Sequence, residues 1–179
     1  MKKTILFLIL SFSLFSATTK VVIPKIQEVK LNETITIEEF CEFTIVSNNF
    51  SKEIYPPNGY KDYKVLDPFM AYYECEDPEG IFLDIVIKVI NLSEDYDEFS
   101  FYFDGELTYN NKYKYSSYIE TFESSSGEYF RPPSNSFIDP LRSIFFHNIF
   151  ELPLSISQED KPLYLILSVK DKKYKYVIR

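Results

Sequence analysis

The chain has 179 residues, 27 acidic and 19 basic side chains, a formal net charge of −8 and 45% hydrophobic residues. This length suits one domain, and the apolar fraction is too high for a disordered chain. The acidic balance argues against nucleic-acid binding, because phosphate contacts need a basic surface. A single His leaves little material for catalysis, so we expect neither an enzyme nor a cofactor.

The first residues have the pattern of a secretory signal peptide. Met1, Lys2 and Lys3 form a basic start, Thr4–Phe15 is apolar, and small residues follow. The apolar run is too short for a membrane-spanning helix, which needs about 20 residues. We predict that residues 1–17 are a cleaved signal peptide and that residues 18–179 form one secreted or periplasmic domain without a membrane span. An uncleaved anchor is the alternative.

The chain has two cysteines, Cys41 and Cys75. In an oxidising compartment an even number suggests a disulfide, which here would close a loop of about 35 residues and stabilise the fold by roughly 3–4 kcal/mol. Two buried free thiols are the alternative. A catalytic thiol is disfavoured because His147 is the only imidazole that could act as its base.

After the leader, short β-prone runs alternate with turn signals along the whole chain. The predicted strands are Lys20–Lys30, Thr34–Ile37, Phe40–Val46, Phe69–Glu76, Ile81–Ile90, Phe99–Thr108, Tyr113–Phe122, Arg142–Leu152, Leu163–Val169 and Tyr174–Ile178. Ile81–Ile90 is the most β-prone run and predicts a central strand that is mostly covered on both faces. Eight to ten short strands predict an antiparallel β-sandwich. A closed barrel is the structural alternative.

The segments between the strands carry ordinary turn signals. Ser47–Asn49 marks a break after the third strand, Asp77–Gly80 has the chemistry of a tight turn, and Asn110-Asn111 predicts a hairpin turn. Ser155–Lys161 predicts one helical turn with Ser157 as its N-cap.

Several short motifs occur in a characteristic order. They are Thr34–Ile45, Tyr55-Pro56-Pro57, Ile85–Asn91, Tyr113–Tyr115, Ile138–Leu141, Phe150–Pro153 and Pro162-Leu163. In this order the chain resembles exported bacterial domains of unknown function with an immunoglobulin-like sandwich, similar in fold to the mycobacterial secreted immunoprotective antigen. The resemblance covers Thr34–Arg179 and implies an extracytoplasmic binding or structural module without known catalytic residues. Two apolar residues between Lys88 and Asn91, and no glycine before Phe150, depart from the family pattern.

Tyrosines are the main candidate for a binding surface. The predicted binding residues are Tyr55, Tyr60 and Tyr63 in one loop and Tyr109, Tyr113, Tyr115 and Tyr118 in one hairpin. Tyr provides a large amphipathic contact area at low entropic cost, which suits recognition. The alternative is that these rings cover the edges of a small sandwich.

Other polar groups give weaker signals. The acidic loop Glu94–Glu98 has carboxylates that a hard cation prefers, but it lacks an internal glycine and EF-hand spacing. We therefore favour a solvated loop and predict no metal site. His147 has no second His, so we expect a surface or half-buried strand residue. Ser124–Gly127 lacks the strand-to-helix turn of a hydrolase nucleophile.

These observations favour a non-enzymatic binding or adhesion-type module outside the cytoplasm, with a protein or envelope component as its partner. The alternative is a structural or accessory subunit of a cell-envelope assembly. A third hypothesis, a hydrolase, requires two carboxylates among Asp84, Asp104 and Glu106 to share one cleft.

Overall fold

The computed structural model describes residues 26–56, 72–94, 97–98, 103–123 and 137–179. The strands are β1 (Ile26–Val29), β2 (Thr34–Ile37), β3 (Cys41–Ser51), β4 (Glu53–Ile54), β5 (Tyr73–Glu74), β6 (Gly80–Asn91), β7 (Asp97–Glu98), β8 (Phe103–Tyr109), β9 (Tyr113–Ser116), β10 (Tyr118–Glu123), β11 (Phe137–Ile138), β12 (Ser143–Pro153), β13 (Leu163–Val169) and β14 (Lys172–Val177), and the helix is α1 (Leu154–Gln158). The predicted signal peptide lies outside the described residues. In the described part of the chain, no helix is long and apolar enough to cross a bilayer.

Two five-stranded sheets form a β-sandwich. One sheet has the order β1-β14-β13-β8-β9 and the other the order β10-β12-β6-β3-β2. All neighbours in them are antiparallel except β1 and β14, which pair in parallel. The order β3-β6-β12-β10 corresponds to the A-B-E-D sheet of an immunoglobulin domain, and β14-β13-β8 corresponds to G-F-C. The predicted all-β immunoglobulin-like sandwich is therefore confirmed.

Strand β6 lies at the centre of its sheet, between β3 and β12. Alternate residues such as Leu83, Ile85 and Ile87 point into the space between the sheets and are fully buried. The opposite face is covered as well, since Phe82 and Asp84 are also buried. The predicted central strand, mostly covered on both faces, is confirmed; on the outer face Lys88 and Ile90 are only partly buried.

Aromatic rings fill the space between the two sheets. Phe43 makes edge-to-face contacts with Phe103 and Tyr174, at centroid distances of 5.8 and 5.0 Å, and Phe103 stacks on Phe146 at 5.5 Å. Such pairs add directional preferences to the burial of apolar area. The core leaves little spare space, because a Cβ added at Gly105 would lie 2.6 Å from Oδ1 of Asn148.

A short hairpin adds a third layer outside the second sheet. Strands β4 and β5 pair with each other. Ile54 of β4 and Cys75, which directly follows β5, pack against Phe82 and Ile149 in a second apolar cluster. This hairpin explains why the outer face of β6 is buried.

Three local expectations need correction. Ser47–Asn49 does not end a strand but lies inside β3, where a bulge between Ile45 and Ser47 keeps the pairing with the long strand β6. The predicted strand Tyr113–Phe122 is two strands, because the chain passes from one sheet to the other at Ser117. Ser157 is not an N-cap: it lies inside α1, and its hydroxyl donates to the Leu154 carbonyl at 2.7 Å.

The predicted disulfide between Cys41 and Cys75 is wrong. Both thiols are free and buried. Cys41 lies opposite Asn91 at one end of β6, whereas the Cys75 sulfur lies against Gly80 at the other end. Eleven residue steps along a strand span about 35 Å, and a disulfide needs its two Cα atoms within about 7 Å.

We predict that Gly105→Ala destabilises the protein by about 1–3 kcal/mol, the usual cost of an overpacked core. The added methyl group would collide with Asn148 and approach the Leu165 side chain at 3.2 Å. Urea unfolding measures the change. The matched control is Asp104→Ala at the exposed neighbouring position, which should change stability by less than about 0.5 kcal/mol. Equal effects of the two variants would contradict this account.

We also predict two free thiols per chain in unfolded, non-reduced protein, measured with Ellman's reagent. In the folded protein the Cys41 thiol should react slowly, because burial raises its pKa to about 12 and only the thiolate is nucleophilic. The Cys75→Ala variant isolates the Cys41 signal. An unfolded chain without reactive thiols would show that a disulfide forms after all.

Candidate functional site

The predicted tyrosines that the structure describes do not form one surface. Tyr60 and Tyr63 lie outside the described residues. Tyr55 directly follows β4, and its ring stacks on that of Tyr72, which directly precedes β5, at 5.3 Å. Its hydroxyl donates to Glu53 at 2.8 Å, and this bond is the main reason that the Tyr55 pKa rises to about 12.

Tyr109 and Tyr113 flank the β8–β9 turn, where Asn110 and Asn111 both have positive φ, as the predicted hairpin turn requires. Tyr109 is buried in the core cluster, and its hydroxyl donates to Glu159. That bond raises the Tyr109 pKa. Tyr113 is exposed and stacks on Tyr109 at 6.3 Å. This pair covers one end of the sandwich, as expected if these tyrosines cover its edges instead of binding a partner.

Tyr115 and Tyr118 lie together in a groove of about 520 Å³. The groove lies between these two tyrosines, the turn before β6 and the end of β12, which contribute the carboxylates of Asp77, Glu79 and Glu151. We call it the tyrosine groove. Its volume is within the range of small-molecule sites, which is about 300–1,000 Å³.

Each wall of the tyrosine groove is fixed by local bonds. In the turn, the Asp77 carboxylate accepts the Glu79 N–H at 2.9 Å and the Asp77 carbonyl accepts the Gly80 N–H at 3.0 Å. The Lys52 ammonium donates to the Asp77 and Pro78 carbonyls at 2.8 and 2.9 Å. The turn is therefore held in place before any ligand arrives.

The opposite wall is fixed by the crossing between the sheets. At the crossing, the Ser117 hydroxyl lies 3.3 Å from the Asn148 side-chain oxygen. Tyr115 is half-buried against the core, while Tyr118 is 57% exposed. One ring is therefore anchored, and the other presents its surface to solvent.

The tyrosine groove is acidic. Among the residues that the structure describes, no Lys or Arg forms an ion pair with Asp77, Glu79 or Glu151. Lys52 approaches the backbone of the turn and not its carboxylates. The negative charge of these three carboxylates is therefore not balanced by an ion pair within the described part of the chain.

The sequence does not single out the carboxylates of this groove as a site. Asp77 and Glu79 belong to a predicted turn, and Glu151 belongs to a predicted strand. These carboxylates lie near the tyrosines because of the position at which the chain passes from one sheet to the other. No local sequence pattern predicts that position.

A second polar group lies on the outer face of the β12–β6 sheet. The His147 Nδ1 lies 2.8 and 3.0 Å from the two Asp84 carboxylate oxygens, and both residues are buried. Glu120 is opposite His147 in the strand register. The Glu120 carboxylate accepts the Tyr73 hydroxyl at 2.5 Å. We call these four residues the outer-face cluster.

The expectation for His147 is wrong, since it is buried rather than at the surface or half-buried. The hairpin of β4 and β5 accounts for this, because its Tyr73 reaches the same face. The signal that could have found the cluster is Asp84, a charge within the most apolar strand. Burial is the largest influence on Glu120 and raises its pKa, whereas the Tyr73 hydrogen bond and the His147 charge oppose that rise.

The three carboxylates of the hydrolase hypothesis do not share a cleft. Asp84 belongs to the outer-face cluster of one sheet. Asp104 and Glu106 lie on β8 in the other sheet, where Asp104 is exposed and Glu106 pairs with Lys114 at 2.8 Å. Within the described residues, no group of three His, Cys, Asp or Glu side chains could hold a metal ion. Most of the acidic loop Glu94–Glu98 lies outside the described side chains.

Comparison with known proteins identifies the fold and no activity. No protein-family model matches the chain, and no curated protein matches it. The chain is similar to an uncharacterized β-sandwich protein from Clostridium difficile 630, with a TM-score of 0.71 and 27% identity over 90% of this chain and 99% of that chain. It is also similar in fold to a conserved hypothetical protein from Bacillus anthracis, with a TM-score of 0.53 and 11% identity over 82% and 93% of the two chains.

We predict that burial of Glu120 makes stability depend on pH. Because the folded-state pKa is raised from 4.5, this group contributes stability that is complete below its unfolded pKa and is lost as pH rises through its folded pKa. Wild-type protein should therefore lose stability relative to Glu120→Gln as pH rises from about 4.5, by at most about 1.4 kcal/mol per pH unit.

Urea unfolding at several pH values tests this prediction. The matched control is Glu28→Gln, at an exposed strand position, whose difference from wild type should stay nearly constant with pH. A Glu120→Gln difference that does not vary with pH, or that varies in the opposite direction, would overturn the assignment.

Proposed function

We propose that this chain is an exported, non-enzymatic binding module, and that the tyrosine groove is its contact surface. The observation that carries the proposal is the convergence of Tyr115 and Tyr118 with three carboxylates that lack a cationic partner among the described residues. Tyr is favoured at recognition surfaces because one end of the ring is apolar and the other can hydrogen-bond. No catalytic step is assigned to these groups.

Two features of the sequence support export. The leader at residues 1–17 has the basic, apolar and small-residue segments of a signal peptide. The motif order resembles that of exported bacterial domains with an immunoglobulin-like sandwich, similar in fold to the mycobacterial secreted immunoprotective antigen. On this proposal the mature domain acts in the periplasm or at the cell exterior.

Of the seven tyrosines predicted to bind, the proposal assigns contact to Tyr115 and Tyr118. Tyr109 is mostly buried and bonded to Glu159, so it has little surface to offer. Tyr113 is exposed but does not line the groove. Tyr55 belongs to a separate hairpin, which makes it a secondary candidate.

We predict that Tyr118→Ala reduces partner capture by about 5- to 30-fold, the usual effect of losing an aromatic contact worth about 1–2 kcal/mol. Proximity labelling of the exported protein on intact cells measures capture. Tyr113→Ala is the matched control, because it removes a tyrosine outside the groove that is 47% exposed, compared with 57% for Tyr118. Unchanged capture with Tyr118→Ala, or an equal loss with Tyr113→Ala, would contradict the placement of the contact surface.

The same experiment separates the second candidate function, an accessory subunit of an envelope assembly. A subunit should label one envelope protein in a fixed ratio and co-purify with it. A binding module should label its partner in a ratio that varies with partner supply.

A further inference from the structure

Strand β12 extends beyond the strand that covers it on one side. Its pairing with β10 ends where Tyr118 faces Ile149, whereas its pairing with β6 continues to Pro153 opposite Gly80. On the β10 side, no described strand pairs with Phe150–Pro153. Part of this segment lines the tyrosine groove together with Ser116 and Tyr118, so the groove contains a strand edge that is open among the described strands.

The hydrogen-bond pattern shows which backbone groups face this open edge. The Leu154 N–H donates to the Glu79 carbonyl at 2.7 Å, which makes Pro153 and Gly80 a non-hydrogen-bonded pair of the antiparallel ladder. Hydrogen-bonded and non-hydrogen-bonded pairs alternate along the ladder, so Leu152 is the next residue whose backbone bonds to β6. Glu151 then belongs to a non-hydrogen-bonded pair, and its N–H and C=O point away from β6.

The other end of β12 shows the same alternation of hydrogen-bonded and non-hydrogen-bonded pairs. The Asn91 N–H donates to the Arg142 carbonyl at 3.0 Å across the pair of Ser143 and Ile90. The register between these two ends has no shift. Glu151 thus presents a donor and an acceptor to the groove, and Pro153 presents one further acceptor.

We propose that the tyrosine groove binds an extended, basic segment of a partner protein, which adds to β12 as a short antiparallel strand. This inference rests on the proposed binding function and names its ligand class. An added strand would lie in line with β10 and meet three backbone groups, two on Glu151 and one on Pro153. Main-chain bonds of this kind give affinity in strand addition, and side-chain pockets give specificity.

Charge selects a basic segment. Asp77, Glu79 and Glu151 surround the open edge without a cationic partner in the described part of the chain. The exposed ring of Tyr118 offers a face on which a Lys or Arg side chain can stack. An acidic segment would meet the negative charge of three carboxylates, with the Lys52 ammonium at the turn as the one described cation close to them, on a chain whose formal net charge is −8.

Fluorescence anisotropy with three synthetic six-residue peptides tests the proposal on the mature protein. The first alternates Lys and Thr. The second alternates Glu and Thr. The third repeats the first with N-methylated backbone nitrogens, which keeps its charge but removes its strand donors. We expect the Lys peptide to bind, the Glu peptide not to bind, and N-methylation to weaken binding by about 10-fold or more, because it removes donors to the open edge.

Variants of the groove carboxylates measure how much their charge contributes to binding of the Lys peptide. Glu79→Gln with Glu151→Gln should weaken Lys-peptide binding by about 3- to 10-fold, given up to about 1 kcal/mol for each exposed charge pair. Glu28→Gln, an exposed carboxylate outside the groove, should leave binding unchanged. Circular dichroism and urea unfolding verify that each variant is folded.

Equal binding of the Lys and Glu peptides, no effect of N-methylation, or an equal effect of Glu28→Gln would overturn the proposal. These results differ from a failure of the proposed function. If partner capture on cells still depends on Tyr118 while the peptides show no preference, the binding module stands and the ligand class is wrong. If capture does not depend on Tyr118, the contact surface itself is wrong.

Discussion

Strand β6 is the constraint on which the rest of the structure depends. It pairs with β3 and β12 over most of its length, and both of its faces are buried. Its inner face needs the opposite sheet, and its outer face needs the hairpin of β4 and β5. Because both faces of β6 are covered, this strand holds its own sheet, the opposite sheet and the hairpin together. Exposing either face would return large aliphatic or aromatic side chains to water.

The outer layer covers two carboxylates that would face water in a two-layer sandwich. Asp84 and Glu120 are carboxylates on a face from which water is largely excluded, and such groups need partners. His147 and Tyr73 provide them. The hairpin thus depends on polar contacts as well as on the apolar contacts of Ile54 and Cys75, and polar contacts fix its position more narrowly than apolar packing alone.

Much of the fold could be predicted from the sequence because period-two alternation is a local signal. It identified β2, β6 and β13 nearly to the residue, and the two asparagines before β9 identified the hairpin turn. The prediction was wrong where an element depends on residues far away in the sequence. The passage between the sheets at Ser117 and the length of β3 are set by such distant partners. The disulfide prediction was wrong for the same reason, because the spacing of two cysteines does not show that they lie near opposite ends of one strand. In the tyrosine groove, only the two tyrosines could be anticipated.

The parallel pairing of β1 with β14 joins the beginning of the domain to its end. Ile26 lies opposite Lys173, so this contact joins residues that are far apart in the sequence. Strand β1 can therefore take its place at the sheet edge only once β14 is available. Folds dominated by such distant contacts form slowly.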